Sequence, residues 1–428
     1  MYLGIMKQRM ASWFNRVWHQ GLMRSGMVTG LVVILMAIGL GLAYVEHGRG
    51  NFHKLKQKIA TERQEAPVPH PGGREAIVVM RSQQTGSSVP QFLSATILPG
   101  RGMNILQISA YIPGKGLVDL LVSPSVADAD VAMSGAGEDA GGQQSLAMGA
   151  AFEVPWAGTL SATQAQSESH GTAMWHGRTI NLPQIDNGVA RGGLILASPA
   201  SSSDKTALPD GGQVEGEFHV QDFGAHWPSK TDVKITVLLS SRSIEMTVTA
   251  RNVGEVAEPV GIGWHPRFAI PAESRKLMRL RIPAERRVEM RDRDLGVPTG
   301  SLLPVAGTPY DFSADGGAEL GSINLDDCFV GLKQDLLESG PIAELSDPAS
   351  GYGLRLTVLS DTIKALHVVA SATRDYVTID PQFNYPDPLG REWKSDAETG
   401  MVVLQPGETT QWKVRLELFS LDRRHSAF

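Results

Sequence analysis

Between residues 75 and 428 apolar residues recur mostly at every second position. The clearest case is DVKITVLLSSRSIEMTVTARN. Val233, Ile235, Val237 and Leu239 alternate with differently facing neighbours. A short serine-rich break follows, and Ile244, Met246, Val248 and Ala250 take up the alternation again. Two period-two runs around a tight polar break predict a β-hairpin. TTQWKVRLELFS repeats the period, with Trp412, Val414, Leu416 and Leu418 on one face, after the turn signal PGE at 406–408. GLRLTVLS and IKALHVVAS are further strand candidates, and no stretch after residue 75 shows a convincing amphipathic helical period. Many short strands separated by Gly and Pro turns predict an all-β protein, a single large antiparallel β-sandwich. Residues 125–150 and 199–214 are rich in small and polar residues and read as long surface loops.

The N-terminus follows a different pattern. GMVTGLVVILMAIGLGLAYV, residues 26–45, carries no charge. A helix of that length rises about 30 Å, enough to cross the hydrocarbon core of a bilayer. Lys7, Arg9, Arg16 and Arg24 precede it without an acidic residue, which keeps that end in the cytoplasm by the positive-inside rule. The expected organisation is a cytoplasmic N-terminus (1–25), a single-pass transmembrane anchor (26–45), a polar tether ending in APVPHPGG (46–74) and a β-sandwich domain (75–428) on the periplasmic or extracellular side. A cleaved signal peptide is the competing reading of the same segment.

Composition narrows the function classes. Of the 428 residues, 20% are charged, and the net charge of −6 argues against a nucleic-acid partner. The one cysteine, Cys328, excludes an intrachain disulfide framework. Chemistry-bearing residues gather in four segments: SESHGTAMWHGR with His170, His176 and Arg178; GWHPRF with His265 and Arg267; NLDDCFVG with Asp326 and Asp327; and VTIDPQFNYPDPLGREW with Asp380 and Asp387. Each adjoins a strand-like run and a turn, where an all-β protein gathers polar groups. The histidines at 170 and 176 lack the spacing and partners of a zinc site, so no metal is expected. The chain also lacks a nucleophile elbow, a P-loop and a dinucleotide motif.

Taken in order, these segments resemble the aldose 1-epimerases (galactose mutarotases) and their hexose-6-phosphate epimerase relatives, from about residue 75 to 420. SATILPGRGMNILQISAYIPGKGLVDLL is similar to the family's opening strands, and FEVPWAGTLS to the segment before its first active-site histidine. His170–Gly171 resembles the family's H-G motif. ARNVGEVAEPVGIGWHPRF resembles its strand, N-x-G turn and H-P-Y-F. LDDCF is similar to D-x-x-F, IDPQFNYPDP to the terminal E-P…P-D segment, and VVLQPGETTQW to the closing strand pair.

The resemblance implies a galactose mutarotase-like sandwich and a cofactor-free carbohydrate 1-epimerase acting on a small sugar. Anomer exchange requires a base on the C1 hydroxyl and an acid on the ring oxygen, and imidazole and carboxylate groups suit those roles near neutral pH. By the same resemblance His265 is the acid and Asp380 stands at the base position. His170 and Asp326 bind the sugar, and Trp156, Trp175 or Trp264 stacks on the pyranose; Arg267, outside the family pattern, is a candidate to pair with an anionic substituent, to lower the pKa of His265 or to face solvent. Three positions depart from the family pattern. Asp380 replaces a glutamate and is one methylene shorter, and a displacement of about 1 Å in a catalytic group costs on the order of 10²-fold. Arg267 replaces the tyrosine of H-P-Y-F. The family's sugar-binding arginine has no counterpart in PWAGTLS, and Arg178 is a candidate substitute. A non-catalytic carbohydrate-binding protein of the same fold, or a glycan lyase or hydrolase on a similar sandwich, are the alternatives these departures leave open.

Overall fold

The computed structural model describes residues 32–42, 44–45, 68–81, 87–167, 169–183, 185–271, 274–394 and 397–421. The chain divides into two units, Met1–Val68 and Pro69–Phe428. In the first, residues 32–42 are helical, and Val33, Ile34, Leu35, Met36, Ile38, Leu40 and Leu42 are all exposed. Among the described residues no helix is long and apolar enough to cross a membrane. Of the span expected over 26–45, residues 32–42 and 44–45 are helical, and residues 26–31 and 43 lie outside the described residues.

The regular structure of the second unit is mostly strand, because its period-two sequence lets each strand turn one row of side chains to a core and the other away from it. Two large sheets account for most of it among the described residues. The larger has twelve strands, and its central part runs in the order Asn104–Ile112, Ala150–Glu153, Gly263–Pro266, Tyr376–Gln382, Ala365–Ala370, Leu325–Leu332 and Ala284–Asp292. The smaller has nine and contains the expected hairpin, Thr231–Leu239 with Ser243–Asn252, closing at Leu239 opposite Ile244. Next to it lies Thr409–Ser420, whose Trp412, Val414 and Leu416 all face inward.

The two sheets share one core. Phe152, Trp264, Val368 and Ile379 from the larger sheet join Ile235, Met246, Val248 and Trp412 from the smaller, all essentially inaccessible to solvent. Phe152 meets Trp412 edge-on at 6.2 Å between ring centroids. Trp412 also donates its indole N–H to the Pro381 carbonyl, a strand of the opposite sheet. Alternation then fixes what lies on the other face: Glu153 follows Phe152, His265 follows Trp264, Asp380 follows Ile379 and His367 precedes Val368. A slip of one residue would exchange the two sets.

Both stretches expected as loops contain regular structure. Residues 125–150 carry two short helices, Val126–Ala132, capped by the Ser125 hydroxyl, and Gln144–Ala147. In the other, Ser202–Leu208 is an edge strand paired with Gly211–Gln221. Both its faces are largely solvated, so no hydrophobic alternation marks it in the sequence.

Candidate functional site

Antiparallel pairing brings the polar residues of the larger sheet's outer face together. Gly263 lies opposite both Glu153 and Gln382, while His367 lies opposite Asp380 and Cys328. Residues in such rows stand about 5 Å apart, so five strands deliver Glu153, His265, Asp380, His367 and Asp326 to one patch.

Two imidazole–carboxylate pairs dominate it. His265 Nδ1 lies 2.7 Å from Asp380 Oδ2, and His367 Nε2 lies 2.8 Å from Asp326 Oδ1. Each carboxylate orients one ring, and among the described residues the other nitrogen, Nε2 of His265 and Nδ1 of His367, has no hydrogen-bond partner. Both side chains keep solvent access, 22% and 23%, whereas Asp380 keeps 3%. Burial works against the imidazolium of His367, but the hydrogen bond and charge of Asp326 outweigh it and lift the pKa to about 9. In His265 burial is likewise outweighed, by the charge of Asp380, its hydrogen bond and Glu153, and the pKa rises above the ordinary histidine value. Asp326 is partly desolvated, yet its bond to His367 holds its pKa below the usual carboxylate range. Burial pushes the Glu153 carboxyl up to about 7, against the pull of His265.

Arg191, Arg293, Gln382 and Thr159 close over Asp326 and His367, leaving a cavity of about 30 Å³, room for a water molecule. Arg293 is committed to Asp327 through both terminal nitrogens at 3.0 Å, and Arg191 donates to the Asp294 carbonyl at 2.8 Å. Among the described residues no set of three His, Cys, Asp or Glu side chains is arranged to ligate a metal ion.

A family model for aldose 1-epimerase matches residues 151–417, the stretch that contains every one of these groups. The chain belongs to the aldose 1-epimerase family. Solved structures agree on the fold. A galactose mutarotase-like protein from Clostridium acetobutylicum superposes with a TM-score of 0.61 at 18% identity, over 80% of this chain and 98% of that one. An aldose epimerase homologue from C. elegans gives 0.60 at 14% identity, over 80% and 99%. Galactose 1-epimerase from Lactobacillus acidophilus gives 0.55 at 17%, over 81% and 99%.

In this aldose 1-epimerase family member the residues expected at the site fall into two groups. His265, Asp380 and Asp326 lie in the patch, but His265 and Asp380 touch each other instead of facing across a sugar-sized gap. Arg267 lies two residues beyond His265, between the strands Gly263–Pro266 and Phe268–Ala269. Its guanidinium stacks on the Tyr376 ring, 3.8 Å from Cζ to the centroid, so it is not directed at the patch. Trp264 does not line it either: strand alternation turns its ring into the core, 0% exposed, against Phe268. His170 stands apart as well. It is exposed in a turn, its Nδ1 held by Ser169 Oγ at 3.0 Å. It lines a larger cleft of about 660 Å³ with Trp156, Phe223 and His226, which shares only Arg191 with the small cavity over Asp326 and His367. Trp175 and His176 border a third groove, and His176 and Gly177 are the two left-handed residues of a tight turn. Arg178 is exposed at the start of its strand, and Asp387 is a turn residue whose Oδ1 accepts the Ser161 amide.

Six residues at the patch were not singled out from the sequence: Glu153, His367, Arg191, Gln382, Arg293 and Thr159. A signal existed for two. Glu153 in AAFEVP and His367 in ALHVVA are lone titratable residues inside apolar strand runs, positions where a polar group needs a reason to be.

Proposed function

We propose that the protein is a carbohydrate 1-epimerase that interconverts sugar anomers by ring opening, with the two histidines as its acid–base pair. The observation that carries this reading is the matched geometry of His265–Asp380 and His367–Asp326 on one sheet face. His367, protonated through neutral pH, donates a proton to the ring oxygen. His265 in its neutral form takes the proton of the C1 hydroxyl through Nε2. The C1–O5 bond breaks as the C1 carbonyl forms, rotation about C1–C2 presents the other carbonyl face, and the same transfers run backwards to close the ring. Asp380 and Asp326 hold the rings in orientation and stabilise their charged forms. Asp380 thus acts through His265, which accommodates its shorter side chain. Arg191 and Gln382 line the small cavity beside His367 and Asp326, where a single sugar hydroxyl would enter.

Freshly dissolved α-glucose, α-galactose and α-galacturonate, followed by polarimetry and saturation-transfer NMR, test this directly. Catalysed equilibration of at least one is expected. Folded protein that accelerates none of them sinks the reading. The near-complete burial of Asp380 favours a second reading, a carbohydrate-binding protein without turnover, which would give calorimetric binding of a sugar with no acceleration.

The exposed apolar side chains of residues 32–42 and the uncharged run around them support a membrane anchor, with the sandwich on the periplasmic or extracellular face. Fractionation of the full chain, with alkaline carbonate extraction and protease accessibility, tests that placement.

A further inference from the structure

Glu153 is the one carboxyl of the patch without an imidazole or guanidinium bonded to it among the described residues. Its side chain is 2% exposed. Among the described residues, the only hydrogen bonds its carboxyl accepts are long ones from the Gly158 amide, 3.3 and 3.4 Å. The strand beside it makes room for it. A Cβ on Gly263 would stand 3.0 Å from Glu153 Oε2, 3.3 Å from Gln382 Cβ and 2.6 Å from Ala157 Cβ, so the carboxyl lies across Gly263 toward the Asp380 strand. That strand carries two buried acceptors, Asp380 Oδ1 and Gln382 Oε1, neither of which has a hydrogen-bond donor among the described residues. Buried acceptors without donors are costly. One proton on Glu153 supplies the donor this corner lacks.

We infer that Glu153 is a positioning residue that carries a proton, and that loss of this proton switches the charge state of the His265–Asp380 pair. The inference deepens the epimerase reading and depends on it only for its kinetic arm. Protonated Glu153 is neutral and steadies Asp380. Ionised Glu153 places a second negative charge beside Asp380 and makes His265 harder to deprotonate. The groups facing it are His265 from the Gly263–Pro266 strand, Asp380 from Tyr376–Gln382 and His367 from Ala365–Ala370. Cys328, next along, stays a thiol because burial raises it well above the ordinary value. Burial places the ionisation of Glu153 at about 7, inside the working range of a histidine.

The test is Glu153→Gln, whose amide donates as the protonated acid does but cannot titrate. His265 is followed by NMR of its imidazole carbons across pH 5–10, and kcat by polarimetry across the same range. The unsubstituted chain is expected to show a two-step His265 titration. Glu153→Gln is expected to show one step, with its midpoint lower by about one pH unit, and a kcat profile without the inflection near neutrality. A His265 titration identical in the two proteins overturns the inference. If neither protein anomerises any sugar, the epimerase reading fails while the NMR titration still decides the role of Glu153. Should Glu153→Gln not fold, infrared difference spectra between pH 6 and 8 are taken instead on Glu258→Gln, which removes the other buried glutamic acid whose pKa is raised to about 7. Loss of a buried carboxylic acid carbonyl band supports the inference, and absence of that band at pH 6 overturns it.

Discussion

His367 and Asp326 show how much one contact sets. The ring is partly buried, which alone would favour its neutral form, yet a carboxylate at 2.8 Å reverses the balance. Catalysis that needs a protonated His367 therefore falls away above pH 9, and falls away below the raised value of His265, giving a bell with an alkaline centre. Asp326→Asn is expected to draw the upper limb down from about 9 toward the ordinary histidine range near 6.5, measured as kcat against pH. His265→Ala and His367→Ala should each lower kcat by about 10²–10⁴-fold with the circular dichroism spectrum unchanged, read by polarimetry. At this scale the sequence was partly legible. His265, Asp326 and Asp380 stand in recognisable segments, whereas Glu153 and His367 stand in runs whose apolar neighbours disguise them. The direction of Trp264 and the stacking of Arg267 on Tyr376 depend on partners over a hundred residues away in the chain, which no local pattern contains.

Strands are the carriers of the site, and their alternation was the most legible feature of the chain. The hairpin around Ser240–Arg242 and the inward row of Thr409–Ser420 follow from period two alone. Ser202–Leu208 was not legible, because an edge strand wetted on both sides has no apolar row to display. Register between distant strands was equally hidden, and it is register that sets Glu153, Gly263 and Gln382 side by side. Gly263 tests that alignment. A methyl group there meets Ala157 at 2.6 Å and crowds the Glu153 carboxylate. Gly263→Ala should lower the unfolding free energy by about 1–3 kcal/mol through overpacking, measured by urea denaturation. It should also reduce kcat by displacing Glu153.

Across the whole sandwich, buried carboxyls give the fold a pH dependence. Glu258 is fully buried, accepts one bond from Thr231 at 2.8 Å, and is pushed by burial up to about 7. An acid whose folded pKa lies above its unfolded value takes up a proton on folding. Its contribution is therefore largest below about 4.5 and declines as pH rises toward 7. Glu153 acts in the same window. His367, a base with a raised folded pKa, contributes fully below about 6.5 and loses that contribution as pH passes 9. All three make the protein less stable as pH rises from 5 to 9. Glu258→Gln should flatten the decline between pH 5 and 7, checked by urea midpoints at pH 5, 6, 7 and 8.

The strict succession of Phe152 and Glu153, Trp264 and His265, Ile379 and Asp380 has one more consequence. Each reactive side chain shares a strand, and adjacent peptide units, with a residue of the shared core. The patch then has no separate melting event: it belongs to the same cooperative unit as the packing beneath it. Heat inactivation and loss of the fold become a single transition, and residual activity reports global unfolding.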